Sequence, residues 1–127
     1  MSKTVLLVDY EPRSIDRIRS ALTGLGISMV LSTDGWSAEA EFHRTLPDLT
    51  LVQDVLPKRA GYQLCRDLKS SPLGARRRVI LLARAHSGNR HRVISSGCDD
   101  WIPKPFDEPT LIAMVKRHLS IAESALS

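Results

Sequence analysis

Apolar runs of strand length alternate along this chain with segments whose apolar residues recur every three or four positions. Residues 4–9 form a continuous run, and Ile15, Ile18 and Leu22 follow at helical spacing. A continuous run is typical of a strand buried on both faces, whereas the three-to-four spacing indicates an amphipathic helix. The first unit is therefore predicted to be a buried strand followed by a helix that begins near Pro12.

The same alternation recurs four more times. Further strands are predicted at residues 28–33, 49–53, 78–83 and 100–103, each followed by a helical pattern, at residues 38–46, after Gly61, at residues 88–96 and after Asp107. Five such units predict an α/β domain with helices on both faces of the sheet. The functional crevice of such a sheet lies at the carboxyl ends of its strands, so the residues that end the strands are the candidates for chemistry.

Composition fits one ordinary globular domain of 127 residues, 43% hydrophobic and 25% charged. We expect this domain to span residues 1–122, with 123–127 as a tail or the start of a linker. The first apolar run is too short for a signal peptide or a membrane span, which favours a cytoplasmic protein. Cys65 and Cys98 have no paired spacing and are expected to be reduced.

The distribution of basic residues adds one alternative function. The formal net charge is +4, and basic residues cluster at 58–59, 76–78 and 90–92. Short basic clusters either attract acidic partners or nucleic acid, or form a solvated surface. No aromatic residues interleave with them, so nucleic-acid binding is kept only as an alternative function.

Three stretches resemble the receiver domain of bacterial two-component response regulators, the CheY-like family. They are VLLVDYEP at the first strand, PDLTLVQDVLPKRAGYQLC around the third and GCDDWIPKPF at the fifth. The resemblance covers about residues 1–120 and implies a flavodoxin-like, doubly wound sheet of five parallel strands in the order 2-1-3-4-5, with five helices. It also implies phosphoryl transfer to an aspartate that ends the third strand, assisted by Mg²⁺.

The position that corresponds to the family's phosphoacceptor holds an amide. In the family pattern the acceptor lies six residues after the Pro of PDL, four before a loop Pro and eight before a loop Gly. Counted from Pro47, Pro57 and Gly61, all three spacings give Gln53. Adjacent strand side chains point in opposite directions, so Asp54 is predicted to be turned away. A bulge that brings Asp54 in as the acceptor is the alternative.

Two more pocket positions depart from the family pattern. Tyr10 stands where the family has an acid that binds Mg²⁺, and Ala83 stands where it has the Thr or Ser that contacts the phosphoryl group. A phenol is a poor magnesium ligand at neutral pH, and an alanine offers no hydroxyl. Neither position is therefore expected to support phosphoryl transfer.

Asp9, Glu11 and Lys104 are the pocket residues that the resemblance retains. Lys104 is expected to pair with Asp9 or to hydrogen-bond to Gln53. No metal or other cofactor is expected. If Mg²⁺ does bind, its candidate ligands are Asp9, Glu11 and Asp54.

The fifth strand matches the family pattern most fully. Trp101 takes the position of the family's aromatic switch residue, with simple packing as the alternative reading. The Lys104–Pro105 peptide bond is a candidate for the cis form.

The sequence therefore predicts a degenerate receiver, or pseudo-receiver, rather than an enzyme. We expect it to act without phosphorylation by binding a protein partner through the surface of the fourth helix, fifth strand and fifth helix. A sensor kinase or a fused output domain is the candidate partner. The alternatives are a receiver that accepts phosphate on Asp54 or Asp9 with Mg²⁺, and a basic nucleic-acid-binding module.

Overall fold

Five parallel strands form one sheet in the computed structural model, which describes residues 3–120. The strands are β1 (Thr4–Val8), β2 (Ser28–Ser32), β3 (Leu49–Gln53), β4 (Arg78–Arg84) and β5 (Asp100–Lys104). Their order across the sheet is β2-β1-β3-β4-β5, which confirms the predicted fold. The domain boundary predicted at residues 122–123 lies outside the described residues.

Five long helices connect and cover the strands. They are α1 (Pro12–Leu22), α2 (Ser37–Thr45), α3 (Gly61–Ser70), α4 (Ser87–Ser96) and α5 (Glu108–Leu119). Asp107 caps α5, since its Oδ1 accepts from the Thr110 N–H at 2.9 Å. None of the helices within residues 3–120 is long and apolar enough to cross a membrane.

Two short helical turns were not predicted, a 3₁₀ turn at Thr23–Leu25 and a single α-helical turn at Pro72–Ala75. The second has a signal in the sequence, the Ser-Pro pair at its start. The Ser71 Oγ accepts from the Gly74 N–H at 3.0 Å, and Pro72 occupies the first helical position. Both are standard ways to begin a helix, so this turn was recognisable.

Alternate strand residues pack into two hydrophobic clusters, one on each face of the sheet. Leu6 and Val8 lie in the cluster covered by α2, α3 and α4, whereas Val5 and Leu7 lie in the cluster covered by α1 and α5. All four side chains are fully buried, and each such burial contributes roughly 1.5–3 kcal/mol. Burial on both faces explains why the strands read as continuous apolar runs.

The register of the sheet brings its functional positions to one edge. Val8 pairs with Val52, Gln53 with Leu82, and Arg84 with Lys104. Because all five strands run in the same direction, the residues that end or follow β1, β3, β4 and β5 meet at the carboxyl edge.

Gly61, the first residue of α3, lies too close to the end of β3 for any side chain. A Cβ there would stand 1.8 Å from the Gln53 carbonyl oxygen, while the Gly61 N–H donates to the Asp54 carbonyl at 2.9 Å. Gly61→Ala is therefore expected to lower the free energy of unfolding by about 1–3 kcal/mol, as overpacking does. Gly24→Ala is the control, since a Cβ there meets nothing within 4 Å. Urea denaturation that finds the two variants equally stable would contradict this account of Gly61.

Candidate functional site

A cavity of about 630 Å³ opens at the carboxyl edge of the sheet. Asp9, Gln53 and Lys104 line it together with residues of the loops that follow β1, β4 and β5. The other charged or aromatic residues in its lining are Tyr10, Glu11, Arg13, Arg17, Arg84, His86 and Phe106. The residues chosen from the sequence at three strand ends therefore meet in one cavity.

Gln53 joins a buried carboxylate to an ammonium group. Its Nε2 donates to the Asp9 Oδ2 at 3.0 Å, and its Oε1 accepts from the Lys104 Nζ at 2.8 Å. Gln53 is only 5% exposed and Asp9 only 1%. A primary amide carries a donor and an acceptor, so it matches a carboxylate on one side and an ammonium on the other. An aspartate at this position would only accept, and it would face Asp9 with a like charge.

Three groups of the described chain donate to the Asp9 carboxylate. The Glu11 N–H donates to Oδ1 at 3.0 Å, and the Ser14 hydroxyl and the Gln53 amide donate to Oδ2. Ser14 was missed in the sequence analysis, although its place in the first turn of α1, five residues after Asp9, was a usable signal. These hydrogen bonds offset the cost of burying the carboxylate.

Lys104 does not pair directly with Asp9 within the described chain, so that part of the prediction is wrong. The Gln53 side chain lies between the two charged groups and bonds to both. The other expectation, a hydrogen bond from Lys104 to Gln53, is confirmed.

Asp54 is also bound to Lys104. Its Oδ1 accepts from the Lys104 Nζ at 2.7 Å, and its Oδ2 accepts from the Arg84 N–H at 3.3 Å. The Asp54 side chain is 3% exposed and that of Lys104 27%. The site thus holds two buried carboxylates and one ammonium, and a buried charge is tolerated only when it is paired or hydrogen-bonded.

Asp54 does not line the cavity that holds Asp9 and Gln53 but a second cavity beside it, although its contact with Lys104 was not predicted. The alternation of side chains holds only within a strand, and β3 ends at Gln53. Beyond it the chain bends, with the Asp54 N–H donating to the Leu82 carbonyl at 2.9 Å. The bend turns the Asp54 carboxylate towards Lys104 and the end of β4.

The donor set does not fit a magnesium ion. Mg²⁺ needs near-octahedral oxygen ligands, usually including carboxylates. Tyr10 is 46% exposed and Glu11 is exposed as well, so neither completes a cluster with Asp9. Within residues 3–120, no group of three or more His, Cys, Asp or Glu side chains is placed to hold a metal ion. The Asp9 carboxylate instead accepts from Gln53, and the Asp54 carboxylate accepts from Lys104.

Two residues at family positions, Ala83 and Trp101, contact each other. Ala83 is buried in β4, and its carbonyl accepts from the Trp101 Nε1 at 3.2 Å. Trp101 is partly buried and packs against the cluster beneath α2, α3 and α4. A phenylalanine ring would lack this donor, so the indole fixes the side chain against β4. The peptide bond between Lys104 and Pro105, the next residue along, is cis.

Asp100 ties β5 to α5. Its Oδ2 accepts from the Arg117 Nη2 at 2.7 Å and lies 2.8 Å from the His118 Nε2, and its Oδ1 accepts from the Trp101 N–H. Burial disfavours the charged form of Asp100, but the contacts with His118, Trp101 and Arg117 outweigh it and hold its pKa below the ordinary value. The carboxylate therefore stays ionised and keeps these elements together at neutral pH.

The sequence is similar to known signalling proteins over almost its whole length. Residues 5–116 match the family described as the response regulator receiver domain. The phosphate regulon transcriptional regulatory protein PhoB of Rhizobium meliloti is 34% identical over 124 residues, which are 97% of this chain and 54% of that protein. The response regulator PleD of Caulobacter vibrioides is 31% identical over 117 residues, 91% of this chain and 26% of PleD. The chain thus spans about half the length of one relative and a quarter of the other.

Solved structures share the fold closely. A putative response regulator from Chloroflexus aurantiacus superposes with a TM-score of 0.88 at 26% identity, covering 94% of this chain and 99% of that one. The receiver domain of the sensor histidine kinase PA1611 from Pseudomonas aeruginosa superposes with a TM-score of 0.86 at 28% identity and the same coverage. That structure has a magnesium ion coordinated in its active site cleft.

Proposed function

Because this chain belongs to the response regulator receiver domain family of two-component signalling, we propose that it is a degenerate receiver that signals without being phosphorylated. The observation that carries the proposal is the bridge that Gln53 makes between Asp9 and Lys104. An amide at the end of β3 cannot form an acyl phosphate, because it is not a carboxylate nucleophile. The protein is a signalling module in this proposal, not an enzyme.

The charges around Gln53 support the same proposal. Phosphoryl transfer needs a cation that neutralises the incoming phosphoryl oxygens. In this chain Lys104 is already bound to Gln53 and Asp54. The described residues around it also do not form a cluster of ligands that fits Mg²⁺. Neither a metal nor another cofactor is therefore part of the proposal. The pocket is a fixed hydrogen-bonded network rather than a site that waits for a phosphoryl group.

The proposed action is binding of a protein partner, through the surface that α4, β5 and α5 form. Receivers interact with sensor kinases and output domains, and either is the candidate partner for this chain in the cytoplasm. Ile94 of α4 is 71% exposed, which gives this surface an apolar contact point. The Trp101 and Asp100 contacts hold β5 to β4 and α5 without any phosphoryl group. Such a surface would have one shape in all conditions, as a phosphorylation-independent signal requires.

A second candidate function is phosphorylation of Asp54. Its Oδ1 lies 2.7 Å from the Lys104 Nζ, which is the contact a phosphorylated receiver would use to hold the group. The bend after β3 brings this carboxylate to Lys104 and to the end of β4. Asp54 is therefore the acid to remove when the two functions are compared.

Incubation with acetyl phosphate and Mg²⁺, followed by intact-mass spectrometry, tests the proposal. We expect no gain of one phosphoryl mass, under conditions in which a phospho-accepting receiver run in parallel is fully labelled. Asp54→Asn is the matched variant. A mass gain that this variant abolishes would reject the proposed function and support Asp54 as the acceptor, while a gain that persists would reject both and point to Asp9.

A further inference from the structure

A long cleft lies between α3 and α4, beside the pocket. Two cavities of about 480 and 330 Å³ share Ala60, Tyr62 and Arg92 in their linings and therefore adjoin each other. We call it the α3–α4 cleft and define it by Lys58, Arg59, Tyr62, Arg66, Arg84 and Arg92. It shares α4 with the surface to which the proposed function assigns a partner, but its other wall is α3 rather than β5 and α5.

Three arginines of the α3–α4 cleft carry charge that the protein does not neutralise. Arg66, Arg84 and Arg92 are exposed, and none of their guanidinium groups has an acidic partner within residues 3–120. The Lys58 ammonium, also exposed, is 4.0 Å from the nearest Asp34 oxygen. An isolated set of cations facing one groove favours an anionic ligand.

The other charged groups beside the cleft leave one net negative charge, because one arginine faces two carboxylates. Arg59 is paired with Glu39 at 2.9 Å and with Asp67 at 3.4 Å. The carboxylate in the described lining, Asp54, is buried and bound to Lys104. Because Lys58 is paired with Asp34, the surplus positive charge at the groove comes from the three unpaired arginines, which outnumber the one unmatched carboxylate beside Arg59.

Arg92 is held in place without losing its binding capacity. Its Cζ lies 4.2 Å from the centre of the Tyr62 ring, a cation–π contact. Such a contact fixes the guanidinium plane but leaves its N–H groups free for a carboxylate. The Tyr62 hydroxyl is buried and has no hydrogen-bond partner in the described part of the chain. Unpaired buried hydroxyls are uncommon, but less than 1 Å² of this oxygen is accessible, so a ligand in the cleft does not reach it in this arrangement.

We propose that the α3–α4 cleft binds an acidic, extended segment of a partner protein. The unpaired cations are spread over both adjoining cavities, with Arg84 in one, Arg66 in the other and Arg92 in both, so a segment with several acidic groups matches them better than a single small anion. Asp or Glu side chains of the segment pair with these arginines in charge-assisted hydrogen bonds. Single-stranded nucleic acid would need an open aromatic face for base stacking, and Arg92 covers the face of Tyr62.

The test measures binding of a fluorescein-labelled peptide of alternating Glu and Ser to the full chain by fluorescence polarisation. We expect the peptide to bind, to bind more weakly as salt is raised, and to bind better than a Gln-Ser peptide of equal length. The variant Arg84→Gln/Arg92→Gln should weaken binding about tenfold or more. Arg66→Gln alone should weaken it by a smaller factor. Thermal unfolding of each variant establishes that it is folded.

A matched control removes two arginines elsewhere on the surface. Arg76→Gln/Arg78→Gln lowers the net charge by the same amount at exposed positions outside the cleft, and binding should change less than about twofold. Equal weakening in both double variants would overturn the proposal, since it would show non-specific attraction. Displacement of the peptide by a lower concentration of a single-stranded oligonucleotide of equal charge would also overturn it. No phosphodonor or Mg²⁺ is present, so this result is independent of the mass-spectrometric test of the proposed function.

Discussion

Gln53→Asp is expected to make this protein less stable and to make its stability depend on Mg²⁺. The change removes the donor that Gln53 offers to Asp9 and adds a third carboxylate around one ammonium, that of Lys104. Like charges in a buried site repel, and an uncompensated buried charge costs several kcal/mol. We expect the free energy of unfolding at neutral pH to fall by about 2–4 kcal/mol.

Added Mg²⁺ should recover part of this loss in the variant alone. A third carboxylate beside Asp9 and Asp54 creates the oxygen cluster that the described chain lacks, and a ligand that binds only the folded state stabilises it. Urea denaturation with and without MgCl₂ measures the effect. The unmodified protein should show no shift in its midpoint beyond that of an equal ionic strength of NaCl.

Two further variants separate charge from size. Gln53→Asn shortens the side chain by the same amount as Gln53→Asp but keeps it neutral, and Gln53→Glu adds the charge at the original length. The loss should follow the charge, so Gln53→Glu should resemble Gln53→Asp more than Gln53→Asn does. Equal stability of Gln53→Asp and Gln53→Asn, with no response to Mg²⁺ in either, would contradict the electrostatic account of this site.

Much of the fold was readable from the sequence because burial leaves a local signature. Residues 4–8 are apolar without a break since β1 is covered on both faces, and Gly61 and Pro57 mark the loop that follows β3. The identity of the residue at the end of β3 was also within reach, since three spacings lead to Gln53. These features depend on neighbours along the chain.

The contact of Asp54 with Lys104 was not readable in the same way. Alternation predicts that Gln53 and Asp54 line different cavities, and they do. The contact depends on the bend after β3, where the Asp54 N–H donates to the Leu82 carbonyl, and on a lysine of another strand. Strand periodicity has no information about either, so the prediction missed this contact.

The α3–α4 cleft shows why charge clusters in a sequence are poor guides to charged surfaces. The densest basic run is residues 76–78, yet Arg77 uses its guanidinium to donate to the Leu46 carbonyl at 2.8 Å. The cleft instead gathers Arg66, Arg84 and Arg92 from two helices and the end of a strand. Only the packing of α3 beside α4 brings them together, so no local pattern predicts the groove.

The substitutions at the pocket are physically consistent with one another. A phosphorylated aspartate needs a metal ligand and a hydroxyl, and the resemblance to the family pattern assigns Tyr10 and Ala83 to those positions. Gln53 removes the carboxylate and at the same time supplies the donor that Asp9 needs. The Lys104 ammonium group donates to both Asp54 and Gln53. Its role in this protein is therefore to hold the network together.

That role predicts a large loss of stability in Lys104→Met. Methionine keeps most of the length and apolar volume of the lysine stem but removes the ammonium group. The Asp54 carboxylate, 3% exposed, then loses its cation, and the Gln53 Oε1 loses its donor. Removing one partner of a buried ion pair costs about 3–5 kcal/mol, because the other charge is left buried and unpaired. Urea denaturation at neutral pH measures the loss as a change in the unfolding midpoint.

Combining Asp54→Asn with Lys104→Met tests this explanation, because the asparagine removes the buried carboxylate that Lys104 no longer neutralises. The double variant should be more stable than Lys104→Met alone, with a coupling of about 2 kcal/mol or more between the two positions. Arg44→Met is the matched control for losing a cation, since it breaks an exposed pair with Glu41 on α2 and should leave the midpoint nearly unchanged. If Lys104→Met behaved like Arg44→Met, Lys104 would not be what holds Asp54 and Gln53 in place, and the pocket would have to be stabilised by Asp9, Ser14 and the backbone alone.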